Sequence, residues 1–226
     1  MMTKINLIDC TLRDGGYYTQ WDFEPGLVEV YLQAMADAGI DYVELGLRNF
    51  SKEGFFGPFA YTTDAYLKTL SLPTGIGVGV MVDAKTLLSA SLEDRAAVRA
   101  LFQPKAMSPV QLVRVAAHFS EVDLCGDIVS ELKSLGYVVG VNLMQASGKP
   151  SREVSRKIRL LLSADSIPDV IYFADSLGNM DSAEVKRLIG AIRAVWSGPI
   201  GIHAHNNRGL AVANSLSAIT EGVAWV

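Results

Sequence analysis

The sequence has few cysteines and no long apolar run. Cys10 and Cys125 are the two cysteines among 226 residues, too few for a disulfide framework and without CxxC spacing. No apolar stretch reaches the roughly 18 residues of a membrane-spanning helix. The first residues lead into an apolar strand without the hydrophobic segment of a secretory signal. We therefore expect buried free thiols, no membrane partner and a cytoplasmic location.

Strong charge and nucleotide-binding motifs are also missing. The formal net charge is −4 and the pI is near 5.4, which gives no general attraction to phosphate backbones. No GxGxxG opens a helix after the first strand, and Gly148-Lys149 lacks the upstream glycine of a P-loop. Neither nucleic acid nor a nucleotide is expected as a partner.

Half of the residues are hydrophobic, and short apolar runs alternate with segments of helical spacing. Runs that are apolar on both faces are typical of parallel strands covered by helices. The predicted strands are 5–10, 42–47, 76–82, 112–118, 138–144, 170–174, 200–205 and 223–226. The clearest helical spacing lies in 27–38, 128–135, 154–162 and 185–192.

Eight strands about 30 residues apart predict an α/β fold, a (β/α)₈ TIM barrel formed by one domain over residues 1–226. An open doubly wound sheet is the alternative. The sequence stops within predicted strand 8, so the barrel is expected to be truncated after or within that strand, or completed by forming a homo-oligomer.

Two distant segments suggest a metal site. Residues two apart in a strand point to the same face, so His203 and His205 can both face one ion. A carboxylate from Asp14, which follows strand 1, would complete a set suited to a divalent cation handling an oxygen-rich substrate. An isolated His-x-His is more often structural, and the combination with Asp14 favours a metal.

Other polar side chains follow the apolar strands at the same end of the barrel. Strand 4 ends at His118, and strand 6 is followed by Asp175 and Ser176. Active sites of such barrels lie at the carboxyl ends of the strands.

These segments resemble those of a known superfamily, the metal-dependent lyases and aldolases that include hydroxymethylglutaryl-CoA lyase and isopropylmalate synthase. Within it, they are similar to the 4-hydroxy-2-oxovalerate aldolases. The similar segments are Thr11-Leu12-Arg13-Asp14-Gly15, Val113 to His118, Ile171 to Ser176 and Gly201 to Asn207, continuing to Val212-Ala213-Asn214-Ser215.

The resemblance implies roles for these residues. Asp14, His203 and His205 would ligate Mn²⁺ or Mg²⁺, and a small 2-oxo acid would be the substrate. Arg13 would hold the enolate oxygen, where a guanidinium and a cation stabilise the developing charge. Arg13 could instead pair with Asp9 or Glu44. Ser176 would contact the pyruvate end, or alternatively cap the next helix.

The family places a histidine three residues after the aspartate ligand as its acid or base, and this chain has Tyr17 there. A phenol titrates near 10, so Tyr17 is a poor base but can donate a proton. His118 and Glu44 are alternative bases. The family's aldehyde dehydrogenase partner is not expected, because the segments through which it docks do not appear in this sequence.

We therefore expect a metal-dependent carbon–carbon lyase acting on a 4-hydroxy-2-oxo acid through a pyruvate enolate. The alternatives are a Claisen-type acyltransferase of the same superfamily and a non-catalytic descendant that binds a metal or a 2-oxo acid.

Overall fold

A computed structural model describes residues 4–165 and 167–226; residues 1–3, at the start of the predicted domain, and residue 166 lie outside these ranges. The described chain forms one parallel sheet whose strands follow one another in sequence order. These strands are β1 (Ile8–Asp9), β2 (Tyr42–Leu47), β3 (Gly77–Asp83), β4 (Leu112–His118), β5 (Val138–Met144), β6 (Val170–Ala174) and β7 (Ile200–His203).

Helices lie between the strands and cover the outer face of the sheet. They are α1 (Thr11–Thr19), α2 (Pro25–Asp37), α3 (Asp64–Leu67), α4 (Ala84–Leu88), α5 (Asp94–Leu101), α6 (Gly126–Ser134), α7 (Ser151–Leu161), α8 (Ser182–Arg193) and α9 (Ala211–Thr220). Short 3₁₀ turns occupy Pro58–Ala60, Lys105–Met107 and Val122–Leu124. None of the helices in the described ranges is long and apolar enough to cross a membrane.

The sheet curls until its two edges meet across residues 224–226. Trp225 forms parallel bridges to Asn6, just before β1, and to Gly201 in β7. The Asn6 amide donates to Ala224 O at 2.8 Å, and the Ile202 amide donates to Trp225 O at 3.0 Å. The predicted barrel is thus confirmed, with these few residues in the position of strand 8.

The sequence predicted the bounds of four strands as the structure has them, namely β2, β4, β5 and β6. The prediction for β7 was too long, since the strand ends at His203 and not at His205. The physical reason is the neighbouring strand: β6 ends at Ala174, opposite His203, so residues beyond His203 have no strand to pair with. Predicted strand 1 is likewise shorter, because only Ile8–Asp9 has regular strand geometry.

Apolar periodicity accounts for the main covering helices. In α7, Val154, Ile158 and Leu161 recur at spacings of four and three and are all buried against the sheet. Inside the barrel, Tyr172 and Trp225 pack with Leu112 and Val170 in a second apolar cluster. The sheet therefore has a filled interior, and its open surface lies at the strand ends.

Candidate active site

Helix α1 begins directly after β1 and carries the two residues predicted to act at the strand ends. Its buried face includes Arg13, and Asp14 lies in its first turn, where the helix dipole favours a negative charge. The Trp21 indole N–H donates to the Arg13 carbonyl oxygen at 2.9 Å. This hydrogen bond ties the segment after α1 back to the start of the helix.

Asp14, His203 and His205 converge at the carboxyl end of the barrel. One ligand atom from each lies within 4.8 Å of the others. His203 Nε2 lies 3.2 Å from His205 Nε2 and 3.4 Å from Asp14 Oδ2. His205 reaches this position from the loop after β7. The three side chains therefore converge as predicted, but the prediction that His205 belongs to the strand was wrong.

The donor set fits a divalent cation. Oxygen and nitrogen ligands about 2.1 Å from an octahedrally coordinated ion lie about 3 Å from one another. The separations of His203 Nε2 from the other two ligand atoms, 3.2 and 3.4 Å, are close to this value. Two imidazoles and a carboxylate also leave coordination positions open for a substrate.

The protonation states agree with this fit. Burial lowers the pKa of His203 and outweighs the opposing hydrogen bond to Asp14, so a neutral ring nitrogen is favoured. Burial alone would raise the pKa of Asp14, but the hydrogen bond to His203 and the charge of Arg13 lower it below its ordinary value. The site therefore presents an ionised carboxylate beside a neutral imidazole.

Arg13 connects this triad to a buried ion-pair network in the barrel. Its Nη1 donates to Asp14, its Nη2 lies 3.5 Å from His203 Nε2, and its Nε donates to Glu44 Oε1 at 2.7 Å. Glu44 also accepts two hydrogen bonds from Arg114, at 2.6 and 2.8 Å. Arg114 in turn donates to Cys10 Sγ at 3.1 Å. Glu44 thus holds the guanidinium of Arg13 at Nε, while the two terminal nitrogens face Asp14 and His203.

The carboxylate pairing considered for Arg13 as the alternative to a catalytic role is present, and Arg13 faces the triad as well. Arg13 pairs with Glu44 and not with Asp9, which accepts a hydrogen bond from Tyr31 at 2.6 Å instead. Burial alone would raise the pKa of Glu44, but the charges of Arg114 and Arg13 lower it to about 2. A fully buried carboxylate shared by two guanidinium groups is unsuited to act as a general base.

Tyr17 and His118 line one cavity of about 470 Å³ beside helix α1, which carries Asp14. Tyr17 lies one turn after Asp14 on α1, and His118 is the last residue of β4. Partial burial and the negative charge of Asp83 raise the pKa of Tyr17, a residue that is still 63% exposed, so the phenol is protonated at neutral pH. The sequence placed both residues near the site, and the structure brings them to the same cavity.

Ser176 lines a different cavity of about 400 Å³, which also contacts Gln145 and Asn179. Its hydroxyl accepts a hydrogen bond from the Gln145 amide at 3.3 Å. Asp181 caps helix α8, so the capping role considered for Ser176 is wrong. Ser176 follows by two residues the strand residue Ala174, which pairs with His203.

Asp83 is a residue of the barrel rim that the sequence analysis missed, although the sequence carries a signal for it. It is the first charged residue after the apolar run 76–82, and it ends β3 at the rim of the barrel. Its side chain lines the cavity of Tyr17 and His118. Burial raises the pKa of this carboxyl, opposed by the positive charge of Lys52.

Comparisons with known proteins agree with the geometry. The HMGL-like family model matches residues 4–226. A 4-hydroxy-2-oxovalerate aldolase from Carboxydothermus hydrogenoformans is 33% identical over 100% of this chain, and one from Pelotomaculum thermopropionicum is 30% identical over 99%. The chain covers 65% and 63% of these relatives, just under two thirds of their length.

Solved structures give the same fold. The N-terminal domain of a predicted aldolase from Bacteroides vulgatus has a TM-score of 0.86 and 32% identity, covering 98% of this chain and 71% of that one. The HMG-CoA lyase of Bacillus subtilis has a TM-score of 0.74 at 15% identity, covering 99% and 76%, which is a likeness of fold alone. By its sequence over nearly its whole length, this chain belongs to the HMGL-like family.

Proposed function

We propose that residues 1–226 are the catalytic domain of a divalent-metal-dependent aldolase that makes or breaks a carbon–carbon bond of a 4-hydroxy-2-oxo acid. The observation that carries the proposal is the convergence of Asp14, His203 and His205 beside the guanidinium of Arg13. Relatives named 4-hydroxy-2-oxovalerate aldolase support the reaction class.

The proposed ion is Mn²⁺ or Mg²⁺, held by Asp14, His203 and His205. When bound, it supplies Lewis-acid stabilisation of the negative charge that develops on the substrate's keto oxygen. Arg13 adds to this stabilisation from the protein side, because its guanidinium is fixed by Glu44 and faces the triad before the substrate arrives.

Tyr17 and His118 are proposed to move the proton of the substrate's 4-hydroxyl. In the condensation direction, a bond forms between C3 of the pyruvate enolate and the aldehyde carbon, and the aldehyde oxygen takes up a proton. The protonated phenol of Tyr17 is suited to donate it. His118, in the same cavity, is proposed to return a proton to Tyr17. In the cleavage direction the same transfers run in reverse: the 4-hydroxyl gives its proton to Tyr17 while Tyr17 passes its own to the imidazole of His118.

Ser176 is proposed to contact the carboxylate of the 2-oxo acid. A hydroxyl can donate one hydrogen bond to a carboxylate. The loop that carries Ser176 continues from the strand paired with His203, so it adjoins the triad along the rim.

Cleavage of racemic 4-hydroxy-2-oxovalerate, with pyruvate release measured in a coupled assay, tests this proposal. We expect Mn²⁺-dependent release that EDTA removes and that Asp14→Ala lowers by at least about 10²-fold, since both ion binding and the position of Arg13 suffer. The matched variant Asp37→Asn, on the exposed end of α2, is expected to behave as wild type. Turnover only with an acyl-CoA and a 2-oxo acid would contradict the proposal and favour the acyltransferase.

A further inference from the structure

The cavity beside Tyr17 contains more hydrogen-bonding groups than proton transfer requires. Its lining includes Asp83, Lys85, Ser89, His118 and Glu121. A pocket for a short alkyl group is normally lined by apolar side chains, with a few polar groups that fix orientation. The polar lining here points to a ligand with several polar groups.

Asp83 is the clearest of these groups because its carboxylate has no structural task among the described residues. It occupies the N-cap position of α4, where an aspartate usually accepts from the helix amides, yet its side chain makes no capping hydrogen bond. It is half-buried and lines the cavity. Asp181, the N-cap of α8, shows the contrast, because its carboxylate accepts from the Glu184 amide at 2.9 Å.

A second acceptor lies deeper on the same side of the barrel. Asn142 is buried in β5, and its Oδ1 has no hydrogen-bond partner among the described residues. Alternate residues of a strand share a face, so Asn142 points to the same side as Met144, which lines the cavity. Its strand neighbour Ala116 lines the cavity as well. Asn142 lies behind the residues that line the cavity, so it makes the wall of the cavity polar and is not itself placed against a ligand.

The cavity adjoins the helix that carries Asp14. Tyr17 is on the helix that carries Asp14, and the charges of Arg13 and Asp14 both act on its phenol. The positive charge of Arg13 also acts to lower the pKa of Asp83. A carbonyl compound in this cavity would approach an enolate held at the triad from the side of Tyr17.

Resting on the proposed function, we infer that the electrophile of this aldolase is a hydroxylated aldehyde, whose hydroxyl group donates to Asp83. The carboxylate oxygens of Asp83 can accept a hydrogen bond from an O–H donor, which an alkyl aldehyde lacks. The carboxylates of Asp83 and Glu121 are matched by Lys85 in the lining and by Lys52 near Asp83, so the cavity has no surplus of positive charge that would favour a phosphorylated aldehyde.

The test measures condensation of aldehydes with pyruvate in the presence of Mn²⁺. Two pairs of equal chain length are compared, glycolaldehyde with acetaldehyde and glyceraldehyde with propanal. Glyceraldehyde 3-phosphate is tested against glyceraldehyde. Exchange of the pyruvate methyl protons in D₂O is measured on the same protein without any aldehyde. We expect kcat/KM to be at least about tenfold higher for each hydroxylated member, because a site that pairs with a hydroxyl rejects the analogue without it.

Asp83→Asn is expected to lower that ratio at least about threefold, since the amide is a weaker acceptor than the carboxylate. Asp37→Asn is the matched control at the other end of the barrel, and it should leave the ratio unchanged. Asparagine is also a good N-cap residue, so α4 is preserved in the first variant.

Three results would overturn the inference: equal or higher kcat/KM for the alkyl aldehydes, preference for the phosphorylated aldehyde, or an unchanged ratio in Asp83→Asn. If pyruvate exchange is present, these results reject only the identity of the electrophile. If pyruvate exchange is absent from the wild-type chain, the proposed aldolase function fails and the inference fails with it.

Discussion

Arg13 and Glu44 are joined by a buried hydrogen bond of 2.7 Å between Nε and Oε1. The same guanidinium faces Asp14 and His203 with its other nitrogens. Glu44 is fully buried and also holds Arg114. The position of one candidate catalytic residue therefore depends on an ion-pair network that lies inside the barrel.

Glu44→Gln is expected to lower the free energy of unfolding by about 3–5 kcal/mol, because it leaves two buried guanidinium groups without their shared carboxylate. Urea unfolding followed by far-UV circular dichroism measures this change. Glu29→Gln, on the exposed face of α2, is the matched control and should change stability by less than about 0.5 kcal/mol. Similar effects of the two substitutions would show that the network contributes little.

The same carboxylate predicts an acid-sensitive contribution to stability. Its pKa falls from an ordinary 4.5 to about 2 in the folded chain, so its ionised form stabilises the fold above pH 4.5. This contribution, about 3 kcal/mol, is lost as the pH falls from 4.5 towards 2. Between pH 5.5 and 3.5, wild type should lose more stability in urea unfolding than Glu44→Gln. Parallel losses in the two proteins would contradict the assignment.

Tyr172→Phe tests whether the interior of the barrel is shaped by the ring or by its hydroxyl. The centre of the Tyr172 ring lies 5.0 Å from the guanidinium carbon of Arg114. A Cβ atom added at Gly140 or Gly201 would lie 2.7 or 2.2 Å from an atom of the Tyr172 ring. Its buried hydroxyl has no partner among the described residues.

Removing that hydroxyl should leave stability unchanged or raise it by up to about 1 kcal/mol. The matched variant Gly201→Ala should destabilise the chain by more than about 1 kcal/mol, because the new methyl group overlaps the ring. Thermal unfolding of both variants checks the pair, and a clear loss of stability in Tyr172→Phe would reveal a partner for the hydroxyl.

Tyr17→His provides a prediction about pH. The phenol of Tyr17 has a raised pKa and cannot serve as a base near neutrality, whereas a histidine at the same position can. We expect the variant to gain a limb near pH 6–7 in the profile of kcat for cleavage. Tyr17→Phe should lower kcat and gain no such limb. Identical profiles for the three proteins would remove Tyr17 from the proton transfer.

Much of this arrangement could be predicted from the sequence, since buried parallel strands are short apolar runs. The bounds of β4 and β5 were predicted correctly for this reason. Helix α1 was not predicted, because Gly15 and Gly16 lower its helix propensity and its apolar residues show no helical period. Position in the fold, and not local pattern, makes this segment helical.

Of the candidate site, the sequence predicted the metal-binding triad but not the contacts around it. His203 and His205 are close in sequence, and Asp14 follows a recognisable strand, so their convergence could be anticipated. The choice of Glu44 as the partner of Arg13 depends on strand register, which a single sequence does not specify. The cavity that joins Tyr17, Asp83 and His118 depends on how helix α1 lies against the ends of β3 and β4.

The central claim, that the triad supports formation of a pyruvate enolate, is tested most directly by proton NMR of pyruvate in D₂O with the 226-residue chain and a low concentration of Mn²⁺. We predict Mn²⁺-dependent loss of the methyl signal that falls at least about 10²-fold in Asp14→Ala and is retained in Asp37→Asn. Exchange at the same rate in Asp14→Ala, or no exchange above the protein-free rate in the wild-type chain, would contradict the account.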